Sequence, residues 1–574
     1  MTIQKDGALV ALGSLSENLM ENETYMNALE GLIVQHVLPE FQNPTYPFMR
    51  ERACWILMRY CDLAFDHEHN LQCCVQRILK ALRDPELPVQ MMAATSLRFL
   101  LDSDTAQKVI EPVLPQVLEE FFRLMNEIGL DDLVCSLERI IQRFGDQIVR
   151  IAPQLTVKLA SMFKQLFKKD DSGEDDEAQM AALTTLECIN TILEQTWEMP
   201  DMYAKLEPTI VPLLHILLHP NGEALEYFEQ ALTMLSWFTY RVPRFSPQLW
   251  QIFPLLYNAF DKYAVDYLES MLPVIDNYVS RETQAFLNMR FSGTTYVELL
   301  FRMANKVIER KQSGDTDRAV ASKIFEILFL NCRGQVDGML APAMNTICGA
   351  LSKMKNETSQ SDVYRVIACM LYYNPAKCLQ VMESKCATQQ LFQQLFRFLK
   401  DEKNCFTTLV DKKTISLGLS SVIALPLNQL PSSVRNAYGT FVGENVKVLS
   451  RIHAQRQAKA KKEEEEDEDE DEDEVEVDSR HYDENEDAVT EEDQAYLKFL
   501  KQVREEGIGD EDGEEEDEND PDSPIGKIEA FVFFHDALRA QDVRVINQAE
   551  KSLPPQMRQM FQQVVAYASR IRSE

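Results

Sequence analysis

The stretch that decides the fold is RILKALRDPELPVQMMAATSL, residues 77–97. Its first half closes one helix with large apolar side chains on a single face: Ile78, Leu79 and Leu82. Asp84-Pro85 ends that helix, because proline lacks a backbone N–H and disfavours the helical conformation of the residue before it. The second half opens another helix with an apolar face of its own: Val89, Ala93, Ala94 and Leu97. The pattern predicts two helices joined by a short turn.

The same unit recurs along the chain. Arg50 and Ala53 stand 40 residues before Gln90 and Ala93, and a small residue at this place lets the two helices of a hairpin approach closely. A period of about 40 residues with two helices per unit is typical of HEAT-type α-solenoids. We therefore predict an all-α fold for residues 1–455, a right-handed superhelix of about ten helical hairpins.

Further apolar patterns at helical spacing follow the same plan. Three more hairpins are predicted: 207–218 with 222–240, 295–308 with 317–331, and 339–353 with 362–373. Four prolines are predicted in the first turn of a helix, where the missing N–H has no cost: Pro112, Pro153, Pro208 and Pro247. Four tryptophans in apolar helical contexts are predicted to lie in the core: Trp55, Trp197, Trp237 and Trp250.

The charge of the chain is concentrated in one acidic segment, residues 463–522. It carries 33 acidic and 4 basic side chains, a net charge of −29 out of −34 for the whole sequence. Self-repulsion and the lack of apolar surface leave nothing to offset the entropy of ordering such a segment. We expect a disordered linker over residues 456–525, followed by a short helical tail over residues 526–574.

The acidic segment begins with an unbroken polyanion. Its members are Glu463, Glu464, Glu465, Glu466, Asp467, Glu468, Asp469, Glu470, Asp471, Glu472, Asp473 and Glu474. A field of this density repels nucleic acid and attracts strongly basic proteins. Two readings stay open: a site that binds basic partners by electrostatic attraction, and a spacer that only keeps the chain soluble.

Two smaller features accompany the polyanion. A short acidic insertion interrupts the helical pattern at Asp170, Asp171, Glu174, Asp175, Asp176 and Glu177. An apolar island at residues 493–503 has helical spacing, with Tyr496, Leu497, Phe499 and Leu500; it is either a docking helix that returns to the solenoid or a transient helix. The apolar positions of the tail need cover, so we expect the tail to fold back on the hairpins around residues 422–448.

The sequence indicates a binding protein rather than an enzyme. It contains no glycine-rich phosphate loop, no H-E-x-x-H pattern and no cysteine pairing at zinc spacing, so neither a cofactor nor a metal is expected. Its twelve cysteines are irregularly spaced, which fits reduced thiols packed as small hydrophobes. No apolar run is long enough to span a membrane, and no aromatic patch is interleaved with basic residues to bind nucleic acid.

Several strings resemble one family of transport receptors. They are RACW (52–55), LWQIFPL (249–255), DYL (266–268), LYYNP (371–375), NCF (404–406), DKK (411–413) and LGL (417–419). Together with the acidic segment, the island and the tail, they resemble the carboxy-terminal half of the importin seven/eight group in the importin-β superfamily. The acidic insertion resembles an acidic loop that this family carries between two helices of one repeat.

The resemblance implies a nuclear import receptor, or a carboxy-terminal fragment of one, that moves between cytoplasm and nucleus and passes the nuclear pore. The implied partners are basic cargo such as histones or ribosomal proteins, nucleoporin phenylalanine-glycine repeats, and importin-β as a heterodimer partner. An interaction scaffold or acidic chaperone for basic proteins is the alternative function.

The amino-terminal half of the family has no counterpart in this sequence. That half holds the domain that contacts Ran, so the resemblance implies Ran-GTP binding for the full-length family rather than for this chain. We therefore expect a partial gene product, with a genuine short form as the alternative.

Overall fold

The computed structural model describes residues 2–128, 131–170, 176–385, 387–401, 403–472 and 519–572. The chain divides into two compact units, Met1–Asn277 and Tyr278–Glu574. Both units are built almost entirely from α-helices, as predicted.

In the first unit the helices are α1 (Thr2–Ser14), α2 (Ser16–Met20), α3 (Glu23–Leu32), α4 (Pro47–Arg59), α5 (Glu68–Ala81), α6 (Leu87–Leu100), α7 (Asp104–Ile110), α8 (Leu114–Ile128), α9 (Asp131–Arg143), α10 (Gly145–Asp170), α11 (Asp176–Gln195), α12 (Pro200–Leu217), α13 (Phe228–Arg241) and α14 (Pro247–Lys262); α15 (Leu268–Arg281) spans the boundary. Short π or 3₁₀ turns lie at Ile33–Val37, Leu38–Gln42, Glu111–Val113, Leu225–Tyr227 and Val265–Tyr267.

In the second unit the helices are α16 (Thr283–Asn288), α17 (Tyr296–Glu309), α18 (Asp315–Asn331), α19 (Leu340–Leu351), α20 (Glu357–Tyr373), α21 (Pro375–Ser384), α22 (Thr388–Phe398), α23 (Leu409–Ile423), α24 (Ser432–Asn436), α25 (Tyr438–Glu472), α26 (Ala530–Arg539), α27 (Val543–Ser552) and α28 (Pro555–Ile571). Two 3₁₀ turns lie at Asp337–Met339 and Leu427–Gln429. A two-stranded antiparallel ribbon pairs β1 (Arg290–Phe291) with β2 (Thr294–Thr295).

Successive hairpins stack so that the second helix of each hairpin packs on its equivalent in the next repeat. In the first unit α4, α6, α9, α11 and α13 lie side by side in one layer; in the second unit α18, α20, α23 and α25 do the same. Ala53 and Ala93, the small residues that define the repeat, are both fully buried between these helices. The three hairpins predicted beyond the first are present as α12 with α13, α17 with α18, and α19 with α20.

Polar contacts tie each repeat to the next at the period of the sequence. Several hydrogen bonds of the described residues join positions 40 apart, among them Asn70 Nδ2 to Glu30 Oε1 at 2.6 Å, Asn190 Nδ2 to Gln230 Oε1 at 2.8 Å, and the Lys355 backbone N to Asp315 Oδ2 at 2.6 Å. Side-chain hydrogen bonds as well as helix packing therefore connect neighbouring repeats at the period of about 40 residues.

The ion pair of Arg50 with Asp84 joins the turn of the decisive stretch to the preceding repeat. Arg50 donates from Nε to Asp84 Oδ2 at 2.7 Å and from Nη2 to Oδ1 at 2.8 Å. Burial alone would raise the pKa of the Asp84 carboxyl, but the hydrogen bonds from Arg50 and from the Glu86 backbone outweigh it and the pKa is lowered. A bidentate pair of this kind is directional as well as charged, so it fixes the angle of the turn.

Two details of the sequence prediction are wrong. Pro247 does begin α14, but Pro153 and Pro208 lie inside α10 and α12. Helix α10 extends by two turns before its proline because Ile148 is fully buried there, and that burial offsets the lost hydrogen bond. Trp197 was expected in the core and is 49% exposed, in the turn after α11, with the Arg241 guanidinium 5.1 Å from its ring.

Two glycines in the second unit allow a matched test of the close packing. A Cβ on Gly418 of α23 would lie 2.7 Å from the Ala368 carbonyl oxygen of α20, whereas a Cβ on Gly349 of α19 would meet only Glu309 Oε1 at 3.8 Å. We expect Gly418→Ala to lower the free energy of unfolding by about 1–3 kcal/mol because the two helices must separate.

The control, Gly349→Ala, is expected to raise stability by up to about 1 kcal/mol, since alanine favours a helix over glycine. Urea unfolding, with amide exchange in α20 and α23, measures both variants. Equal effects of the two substitutions would contradict the close approach of α20 and α23.

Candidate functional site

The structure describes the backbone of most residues of the predicted polyanion, 463–474. Residues 463–472 continue α25 as helix, and their side chains are not described; Asp473 and Glu474 lie outside the described residues. The start of the linker at residue 456 stays a prediction; the backbone of α25 is described as helix to Glu472. Three lysines each stand four positions before an acidic residue: Lys459, Lys461 and Lys462. Opposite charges at this spacing favour a helix.

The other two candidate features are described only in part. Asp170 ends α10, while Asp176 and Glu177 begin α11, so the acidic insertion joins two helices that pack against each other. Its remaining acids, Asp171, Glu174 and Asp175, lie outside the described residues. The island residues Tyr496, Leu497, Phe499 and Leu500 also lie outside them, so the docking role proposed for the island stays a prediction.

The tail after the acidic segment, residues 523–572, packs on the last helices of the second unit and is called the docked tail. Helix α26 packs on α23, while α27 and α28 pack on α25. Ile525 makes the first contact, in one buried cluster with Tyr372 of α20 and Leu417 of α23. The ring of Phe533 meets Tyr372 edge-on at 5.7 Å, and the Arg333 guanidinium lies over the Tyr372 ring at 4.1 Å.

Lys413 of α23 forms a buried hydrogen bond with the docked tail. It is fully buried, and its Nζ donates to the carbonyl oxygen of Gly526 at 3.0 Å. An ammonium group taken out of water is strongly destabilising unless it is hydrogen-bonded. The returning chain therefore supplies a partner that α23 needs, and removal of the tail leaves this hydrogen bond to be replaced by water.

Helices α26 to α28 close the remaining sides of α23 and α25. Gln541 Nε2 donates to the carbonyl oxygens of Ile423 at 2.9 Å and Leu425 at 2.8 Å, at and just after the end of α23, where carbonyl groups have no partner within the helix. Phe531 and Tyr567 stack edge-on at 4.9 Å, and both meet the His453 ring of α25. Beside them Arg456 Nη1 lies 3.2 Å from Glu529 Oε1.

Two glycines of α25 let the tail approach its backbone. A Cβ on Gly439 would collide with Ser552 Oγ, and a Cβ on Gly443 would lie 3.0 Å from Leu553 Cδ2. Glycines four residues apart share one face of a helix, so this face is flat enough to accept the end of α27. Here Gly-x-x-x-Gly was the available sequence signal, and it was missed.

The docking of the tail on residues 422–448, expected from its uncovered apolar positions, is confirmed. Phe531, Phe534, Phe561 and Val564 are buried as predicted. Lys413 and Gln541 were not predicted, because a lysine or glutamine gives no sequence signal of the carbonyl it will meet. Among the described residues, no helix is long and apolar enough to cross a bilayer, and no group of three or more metal-ligating side chains is found.

The architecture defines the class of protein: an α-solenoid of the HEAT type, with an acidic segment inserted before a docked helical tail. The chain is 32% identical over 437 residues to the importin beta-like SAD2 homolog of Arabidopsis thaliana, and 32% identical over 442 residues to a probable importin-7 homolog of Dictyostelium discoideum. It is 26% identical over 446 residues to human importin-8. These matches make the chain a relative of the importin-7/8-type proteins.

The alignments cover a larger share of this chain than of its relatives. The three alignments cover 75%, 76% and 76% of this chain but 42%, 40% and 42% of the relatives, so the chain spans less than half of their length. No protein-family model matches the chain. A solved structure of importin beta aligns over 96% of this chain and 68% of its own, at 12% identity and a TM-score of 0.47; a likeness this weak carries no argument.

A chain that ends at residue 522 tests the docked tail, because it keeps the acidic segment and removes residues 523–574. We expect faster amide exchange in α23 and α25, a lower melting temperature and binding of a dye that reports exposed apolar surface. The reason is that Leu417, Tyr372 and the buried Lys413 then face water.

Gly443→Leu in the full chain is the companion variant, since it should displace the tail without shortening the protein. Gly7→Leu, at a glycine with no atom within 4 Å of its Cβ position, controls for the substitution itself. If the shortened chain and Gly443→Leu both melt like the intact protein, the tail does not support α23.

Proposed function

We propose that this chain acts in nuclear import, as a transport receptor or as part of one, and that it binds basic cargo such as histones or ribosomal proteins. The single observation that carries the proposal is the similarity to importin-7/8-type proteins over three quarters of the chain. Such a protein works in the cytoplasm and the nucleus and at the nuclear pore. Ran-GTP and importin-β are partners to test on the longest available form of the protein.

The acidic segment is the proposed cargo site. Its first residues, 463–472, extend α25, and the docked tail holds the same helix through Arg456 and the His453 cluster. The proposed site therefore follows directly on the part of α25 that the docked tail contacts. Exposed charges of one sign raise the association rate of a basic protein and bind it in a salt-dependent way, over a Debye length of about 10 Å at 0.1 M salt.

A groove in the first unit is the proposed site for phenylalanine-glycine repeats. It encloses about 630 Å³ between α5 and α8. Apolar side chains form its walls: Phe41, Leu79, Leu82, Val113 and Val117. The ion pairs of Arg50 with Asp84 and of Arg83 with Glu120 also line it. A groove with apolar walls and a few polar groups is suited to a single aromatic side chain with its neighbouring backbone.

Neutralising residues 463–474, with Gln in place of Glu and Asn in place of Asp, tests the cargo site. We expect the affinity for a purified histone to fall about tenfold or more, equivalent to about 1.4 kcal/mol, and the dependence of affinity on salt to become shallower. Calorimetric titration at two salt concentrations measures both quantities.

The matched control exchanges every Glu for Asp and every Asp for Glu in residues 463–474, which keeps the charge and changes each side chain. Its affinity should equal that of the unmodified chain. Unchanged histone binding by the neutral variant would refute the proposed site.

Val113→Asp tests the groove, because Val113 is 36% exposed at its wall. We expect binding of a phenylalanine-glycine repeat peptide to weaken about tenfold or more, since the charge must be desolvated beside an apolar ring. Val157→Asp on α10, where the side chain is 53% exposed and outside the groove, is the control. A chain that binds histone but no repeat peptide would favour the alternative, an acidic scaffold or chaperone.

A further inference from the structure

Two serines in the sequence are followed by proline, Ser246 and Ser523, and the structure treats their hydroxyl groups differently. Ser246 caps α14: its Oγ accepts a hydrogen bond from the Leu249 backbone N at 3.0 Å and donates to Glu207 Oε1. Ser523 is half-buried, and its side chain forms no hydrogen bond with the described residues. Pro524 beside it is exposed.

We propose that Ser523 is a phosphorylation site and that its phosphate releases the docked tail. The class of enzyme that fits is a protein kinase selective for serine before proline. The Ser523 Oγ attacks the terminal phosphorus of a nucleoside triphosphate, so an O–P bond to serine forms and the bond to the nucleoside diphosphate breaks. The hydroxyl proton passes to the catalytic base of the kinase.

The turn that carries Ser523 has little room to rearrange. The Ser523 backbone N donates to the Asp520 carbonyl oxygen at 3.1 Å, and the Gly526 backbone N donates to the Ser523 carbonyl oxygen at 3.0 Å. A Cβ at Gly526 would collide with that same Asp520 oxygen. A group added to Ser523 therefore acts directly on Ile525 and Gly526, the first residues of the tail to contact α20 and α23.

The charge around Ser523 opposes a phosphate. Asp520 and Asp522 flank it, and the Asp522 backbone N donates to Asp520 Oδ1 at 2.9 Å. A phosphoserine adds a charge of about −1.5 to −2 at pH 7, and next to carboxylates it disrupts by like-charge repulsion. Of the lysines at this contact, Lys413 is buried and donates to Gly526, and Lys527 is exposed.

The test treats the full chain with a proline-directed kinase and a nucleoside triphosphate, locates the phosphate by mass spectrometry, and measures amide exchange. We expect modification of Ser523 and not of Ser246, and exchange about tenfold or more faster in α26 and in α23 of the modified chain. Ser523→Ala and Pro524→Ala, treated alike, should stay unmodified and keep the exchange of the untreated protein. Circular dichroism checks that both variants fold.

Three results would overturn the proposal. The first is that the kinase modifies a peptide of residues 518–530 but does not modify Ser523 in the native chain. The second is that it modifies Ser246 instead. The third is that Ser523 is fully modified while amide exchange in α23 and α26 is unchanged or slower. The last result would mean that the phosphate binds a lysine and tightens the contact.

Discussion

Burial of α23 on all sides is the constraint on which the end of this protein depends. Every residue from 413 to 423 is buried, although many of them are small or polar, among them Thr414, Ser416, Gly418 and Ser420. Large aliphatic side chains alternate with these small ones and are also buried, so the helix faces packed neighbours all round. Helix α20 covers one side, α25 another and the docked tail a third. The tail is therefore part of the fold, although the acidic segment separates it from α25 in the sequence.

The repeats were predictable because their cause is local. Apolar spacing, a turn at Asp84-Pro85 and a small residue at Ala53 or Ala93 each act within one hairpin, and the period follows when the units stack. The docking of the tail was predictable for a different reason, since apolar helices too small to fold alone need cover. What escaped prediction depends on distant partners: the carbonyl oxygen that accepts from Lys413, and the carbonyl oxygens that accept from Gln541.

The proposed function depends on where the acidic segment leaves the folded part of the chain and where it returns. The chain enters the acidic segment from α25 and returns at Ile525 beside α20 and α23, within the same unit. The described residues before and after the segment thus belong to one unit. A change that weakens the contact of the docked tail also frees the carboxy-terminal end of the acidic segment. By linkage, a partner that binds one arrangement of the tail more tightly shifts the tail toward that arrangement.

The most direct test of the docked tail is a disulfide between α25 and α27. A Cβ at Gly439 would lie 3.4 Å from the Ser552 Cβ, near the separation of about 3.5–4.5 Å at which cysteines bond without moving the backbone. In the full chain carrying Gly439→Cys and Ser552→Cys, this account predicts rapid formation of an intramolecular disulfide under mild oxidation, while each single variant keeps a free thiol. If both introduced thiols stay free, or if they link only separate molecules, the tail does not rest on α25 and the central claim is wrong.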